Sequence, residues 1–307
     1  MLSFSNRDGL IWFDGALVPW ADARIHVLTH SLHTAGAVFE GIRAYDGEIF
    51  LPDAHFARFG DSARIVGYSV PYSSLELEKA TEAVLWANEL KDAYIRPIAW
   101  RGSESVTVAA RDATIHVAIA AWDWPTPAAL GKSDVGVRLQ LASWRRPRAD
   151  TAPTASKCSG LYMIGTLARH AANEAGFDDA LLLDVDGNVA ETTATNIILV
   201  KGGVLISPVP DCFLDSITKR HVFTLARAKG FEIREERVSV VDLEQASEVF
   251  VVGTSIEIQP VTELRGDAVH AHWSVGPVTR DLLADFRKSI RCLPGCEVKL
   301  GAPVTKS

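Results

Sequence analysis

The sequence predicts an α+β protein built of two α/β domains, and three observations carry that prediction. Its 307 residues, 48% of them hydrophobic, exceed what one ordinary core organises. Short apolar runs around Asp-Gly and Gly-Gly turns alternate with stripes of helical period. Between them, "DWPTPAALGKSDVG" at 123–136 concentrates Pro and Gly, as a connection does. The expected division is a smaller N-terminal domain, 1–122, an interdomain loop, 123–136, and a larger C-terminal domain, 137–307.

In the N-terminal part, "LIWFDGALVPW" sets two apolar runs around Asp14-Gly15, a pair suited to the positive φ of a tight hairpin. "AVFEGIRAYDGEIFL" repeats the arrangement around Asp46-Gly47. Phe56, Phe59, Ala63 and Val66 then recur at helical spacing, with Asp53 as the expected cap and Arg58 off the stripe. A second amphipathic helix is expected over about 74–90, followed by strands in "YIRPIAWRG" and "TIHVAIAAW".

The C-terminal part opens with the strand "VRLQLASW". After the segment "TAPTASKCSGLYM", Leu161, Ile164, Ala168 and Ala171 share one face of a helix ending at Gly176. Turn signals at Asp186-Gly187 and Gly202-Gly203 separate β-rich runs. Asp215-Ser216 opens a helix over "ITKRHVFTLARAKG"; strands near 232–240 and 247–253 and a helix over about 277–290 complete the pattern. Residues 292–307 show none.

Several function classes are disfavoured. A net charge of −7 without a basic stripe argues against nucleic acid. Apolar runs shorter than ten residues and an N-terminus without an apolar signal region argue against membrane insertion and secretion, so a cytoplasmic protein is expected. Cys158, Cys212, Cys292 and Cys296 form neither a C-x-x-C pair nor a disulfide framework, and no metal ligand set is read. The basic cluster "WRRPR" at 144–148 reads as a solvated loop or as the lip of an anionic-ligand site.

Four segments could carry chemistry. Lys157 stands among Ala155, Ser156, Cys158, Ser159 and Gly160, which leave room for a ligand at its ammonium. A lysine that traps a carbonyl must shed its proton, which desolvation or neighbouring cations promote; taken alone, Lys157 reads as a surface-loop lysine, and the signal must come from its companions. "AETTATN" places Glu191 where a carboxylate could hold a proton on a heteroaromatic nitrogen, or simply at a solvated turn. "LDSIT" puts a helix start where free N–H groups attract phosphate, or is ordinary capping. Gly253-Thr254-Ser255 could clasp an anion, or is a plain turn.

Together, "PTASK…GLY", "VAETTATNI", "LDSIT" and "GTSIEIQPV", with "HVLTHSLHTAGAVFEGIRAYDG" and "AYIRP" upstream, resemble the branched-chain aminotransferases among the class IV, fold type IV pyridoxal-phosphate enzymes. The resemblance spans about residues 8–290, in the family's order. It implies a fold of the D-amino acid aminotransferase-like type, a pyridoxal 5'-phosphate cofactor held by the C-terminal domain, small amino acid and 2-oxo acid substrates, and a homodimer or higher homo-oligomer.

By this resemblance Lys157 is the Schiff-base lysine and then the base that moves a proton at substrate Cα. Glu191 keeps the pyridine nitrogen protonated. Tyr162 bonds the cofactor's phenolic oxygen, and Arg58, the backbone at Ile217 and Thr218, and Thr254 hold its phosphate. Phe39, Gly41 and Arg43 match the substrate-pocket wall. Tyr94, Thr254 and Ser255 match the α-carboxylate site, and Arg96 matches the arginine that reads the distal carboxylate of glutamate. Asn196 lies near this set.

The chain departs from the family at Thr34, where an aromatic residue is usual, in an interdomain loop without tyrosine, and at Asp215-Ser216, where Pro-Gly is common. The leading expectation is amino-group transfer between branched-chain L-amino acids and 2-oxoglutarate. The alternatives are an (R)-selective amine or D-amino acid transaminase, a lyase of the aminodeoxychorismate type, and a non-catalytic binding protein with a decayed site.

Overall fold

The computed structural model describes residues 3–5, 7–131 and 135–290. They divide into two compact units: residues up to 125 together with Ser156–Leu161, and Thr126–Ala155 together with residues from 162 onward.

The first unit is organised by a sheet of seven strands among the described residues. Asp14 and Gly15 (φ 46° and 102°) join Leu10–Phe13 to Ala16–Pro19, and Asp46 and Gly47 (φ 51° and 90°) join Ile42–Tyr45 to Glu48–Ile49. Both central residues of each turn are left-handed, which matches the strand twist. Ala93–Arg101 and Ile115–Asp123 pair antiparallel along their whole length. Ile42–Tyr45 and Val38–Phe39 flank the first of these strands on its other edge.

Helix Pro52–Ile65 buries Phe56, Phe59 and Ala63, the expected stripe. Its start differs from expectation: Leu51, with φ 53°, precedes it without a side-chain cap, and Asp53 lies inside the first turn, where its charge still suits the helix dipole. Helix Ser74–Ala87 is closed by a reciprocal capping box between Ser73 and Glu76.

The second unit carries a mixed sheet of nine described strands. Asp179–Leu183, Asn196–Lys201 and Glu248–Gly253 read as near-continuous apolar runs because both their faces are covered. Leu139, Leu181, Ile197, Val251 and Leu264 form its core. Helices Tyr162–Glu174, Ile217–Ala228 and Pro277–Ser289 fall where periodicity places them. Strands Glu257–Gly266 and Val269–His272, and the five-residue helices His30–Thr34 and Val240–Glu244, were not anticipated. A helix little longer than one turn shows no period, and Pro260 breaks the β pattern of its strand.

Cys158 and Cys212 are buried free thiols. Among the described residues no helix is long and apolar enough to cross a membrane. The tail 292–307, with Cys292 and Cys296, lies outside the described residues.

Candidate active site

In the first unit, the segment bearing Lys157 is held by backbone. Phe39 N donates to Lys157 O at 3.1 Å, and Val38 bridges Cys158. Ser62, fully buried on helix Pro52–Ile65, accepts from Lys157 N through Oγ (3.0 Å) and from Ser156 Oγ through its carbonyl (2.9 Å). These docking bonds are made by the backbone and by the hydroxyls of Ser156 and Ser62.

Phe39 is the meeting point. Lys157 Nζ lies 5.2 Å from the Phe39 ring centroid and the Arg96 guanidinium 4.7 Å from it. Arg96 Nη2 donates to Tyr94 Oη at 3.3 Å. Tyr94 is opposite Arg43 across the ladder and two residues from Arg96, so all three share one face of the sheet. Gly41 lies against Tyr94, where a Cβ would come 2.0 Å from Oη.

Arg43 is buried, with Nη2 donating to Trp124 O at 2.8 Å and its cation 4.7 Å from the Tyr45 ring. Arg43 Nε and Nη1 and Arg96 Nε are buried without hydrogen-bond partners. Each such donor costs about 1–3 kcal/mol. A carboxylate is the natural ligand for guanidinium groups left in this condition.

Arg58 is fixed from behind. Glu40, fully buried, accepts from Arg58 Nε at 2.7 Å and Nη2 at 2.9 Å, and His55 Nδ1 lies 2.8 Å from the same carboxylate. An ionised carboxylate only accepts, so Nδ1 carries the proton. Burial pushes the Glu40 carboxyl upward, but Arg58 and His55 outweigh it and hold it well below the usual range. Burial keeps the His55 imidazole below its ordinary value. Neither Glu40 nor His55 was singled out from sequence; a glutamate inside the apolar stretch "AVFEGI" was the available signal.

In the second unit, Glu191 is buried on strand Val189–Thr192, directly opposite Asn196. Asn196 Nδ2 donates to Glu191 Oε2 at 3.3 Å, while its Oδ1 accepts from Ser216 N at 3.0 Å. Asn196 therefore ties the carboxylate to the start of helix Ile217–Ala228. Arg146 Nε lies 3.4 Å from Glu191 Oε1. Thus Arg146, buried at 7% exposure, belongs neither to a solvated loop nor to an anion lip; it is the counter-ion of Glu191. Arg148 of the same cluster is exposed and pairs with Asp186.

Ser216 caps helix Ile217–Ala228, its Oγ accepting from Lys219 N, and the ladder begins at Arg220 N to Ser216 O. The amides of Ile217 and Thr218 are left over at the positive end of the dipole. Asp215 does not cap: it pairs with Lys219 at 2.9 Å and Arg220 at 2.6 Å. Thr254 and Ser255 follow the strand end Gly253, where a Cβ would meet Thr195 Cγ2 at 2.8 Å, and Tyr162 opens its helix.

The first unit thus sets a lysine beside an arginine-lined sheet face, and the second ties a buried glutamate to a helix start. The amino-transferase class IV family matches residues 37–264, and the chain belongs to that family. Its relatives include branched-chain enzymes. The branched-chain-amino-acid aminotransferase of Pseudomonas aeruginosa is 39% identical over 92% of each chain. The solved branched-chain aminotransferase of Escherichia coli superposes with TM-score 0.89 at 33% identity, over 96% of this chain and 98% of that one. That of Thermobaculum terrenum, solved in its PLP-bound holo-form, gives TM-score 0.84 at 29% identity, over 92% and 94%. These relatives do not favour the amine, D-amino acid or lyase alternatives.

Proposed function

We propose that the protein transfers the amino group of branched-chain L-amino acids to 2-oxoglutarate, giving branched-chain 2-oxo acids and L-glutamate, with pyridoxal 5'-phosphate as cofactor. The observation that carries the reading is the Phe39 ring, shared by the Lys157 ammonium and the Arg96 guanidinium. An apolar wall with a carboxylate reader at its edge suits a pocket that takes an aliphatic side chain in one half-reaction and a dicarboxylate in the other.

The residues fit the cofactor: leftover helix-start amides and an arginine suit phosphate, and a buried carboxylate with its own counter-ion suits a ring nitrogen. Bound, the cofactor supplies an electron-withdrawing ring that acidifies substrate Cα–H. Lys157 binds its aldehyde and carries the proton to and from substrate Cα. Glu191 holds the proton on the ring nitrogen, Tyr162 donates to the phenolic oxygen, and Arg58, Ile217, Thr218 and Thr254 hold the phosphate. Phe39, Gly41 and Arg43 form the wall, Tyr94, Thr254 and Ser255 take the α-carboxylate, and Arg96 takes the distal one.

We further infer a cytoplasmic homodimer or higher homo-oligomer of two-domain subunits with the connection at 123–136, and neither nucleic acid nor membrane as partner. Exposed Ile25, Val27, Leu28 and Leu32, and exposed Val106 and Val108, support a subunit contact. The free buried thiols suit a reducing compartment.

A donor panel with 2-oxoglutarate, scored for L-glutamate, tests the function. L-leucine and L-valine are expected to react; glutamate from D-alanine or (R)-1-phenylethylamine alone would overturn the assignment. Lys157→Ala is expected to abolish turnover with unchanged circular dichroism, because the docking bonds of that segment are made by its backbone and by Ser156 and Ser62.

A further inference from the structure

At the far end of the second unit's sheet, Glu263, His270 and His272 turn one potential ligand atom each toward a common point, all within 4.8 Å of one another. They sit on one hairpin, with Glu263 directly opposite His272 and Arg265 directly opposite His270. Alternation along a strand puts 263 and 265, and 270 and 272, on the same face. We propose that these three side chains bind one divalent transition-metal ion of the zinc type.

The spacing suits it. Zinc bonds of about 2.0–2.2 Å in tetrahedral geometry separate ligand atoms by about 3.3 Å. His270 Nε2 and His272 Nε2 are 2.8 Å apart, and His270 Nε2 lies 3.6 Å from Glu263 Oε1, values that bracket that separation. The carboxylate is already oriented: Arg138 Nε holds Glu263 Oε2 at 2.7 Å, which leaves Oε1 toward the histidines. Such outer hydrogen bonds position metal-ligating carboxylates. Glu263 is buried while both histidines are exposed, so an ion reaches the point from solvent and completes its shell with water.

Arg265 is the built-in competitor. Its Nη2 lies 3.0 Å from His270 Nε2 and its Nε 3.4 Å from Glu263 Oε1, so it occupies part of the ion's place and must swing out on binding. Its side chain is half exposed and free to do so. The ion would pin the hairpin without taking part in transamination: Glu263 lies six residues along its strand from the Gly253–Glu257 rung, about 20 Å away.

Titration calorimetry of Zn²⁺ into the tag-free, cofactor-saturated full chain, without amino acid, tests the proposal. One ion per chain is expected, weakened at least about tenfold by His270→Ala, His272→Ala or Glu263→Gln. Arg265→Ala, which removes the competing cation, is expected to tighten binding. All four changes lie on one face of a single hairpin, and unchanged circular dichroism verifies folding. Absence of saturable binding in the parent protein, equal affinity in the ligand variants, or weaker binding in Arg265→Ala would each overturn the site.

Discussion

Replacing Glu40 with glutamine removes one charge and almost no volume, and it strikes the residue on which Arg58 depends. The glutamine amide turns one of two accepting oxygens into a donor, which then faces Arg58 or the protonated Nδ1 of His55. Breaking a buried ion pair costs about 3–5 kcal/mol. The Arg58 side chain retains 16% exposure, so water recovers part of this and about 3 kcal/mol is expected. Urea unfolding of the cofactor-free protein reads that loss.

The same change frees the guanidinium from its fixed orientation. Hydrogen bonds to charged groups contribute about 1.5–3 kcal/mol, so the affinity for pyridoxal 5'-phosphate is expected to fall about 10- to 150-fold. Binding of pyridoxal, which lacks the phosphate, should hardly change. The pH dependence has a defined sign. The folded carboxyl is held below its ordinary 4.5, so its contribution is complete above that value and is lost as pH falls through the lower folded value. A Glu40→Gln protein with parental urea stability and cofactor affinity within about twofold would refute the argument.

Gly41→Ala is expected to raise KM for amino donors at least about tenfold with cofactor affinity unchanged, because its Cβ would displace Tyr94, which is packed against Trp122 and Trp124. Arg146→Met leaves Glu191 buried without its cation; kcat is expected to fall about 10- to 100-fold and the visible band of the bound cofactor to shift with the charge at its ring nitrogen. Burial lowers His221 from 6.5 to about 4. The unfolded chain therefore binds this proton first, and about 2–3 kcal/mol of stability is lost as pH falls from 6.5 towards 4. His221→Gln should flatten the urea-stability profile over that range.

Local chemistry was legible wherever one residue type does a job by itself. Asp-Gly and Gly-Gly pairs marked turns because only such residues take left-handed φ cheaply, and stripes at 56–63 and 282–286 marked helices because periodicity is a property of neighbours. Lys157 and Glu191 stood out once their segments were taken together in order. Arg146 misled for the same reason that Glu40 went unnoticed: a charged residue's burial depends on a partner that arrives from elsewhere in the chain, 45 residues on for Glu191 and 18 for Arg58.

By itself, then, the sequence determined the two-domain α+β class and the family, since these reside in composition, period and ordered motifs. Only the tertiary structure decided that the Lys157 segment folds with the N-terminal unit, that Ser62 anchors it, that Glu40 and His55 hold Arg58, that Asn196 joins Glu191 to the helix start, and that two histidines and a glutamate converge on a hairpin. These are pairings between separate elements, opposed by the desolvation of polar groups and settled by register between strands, and neither quantity is written in the local run of residues.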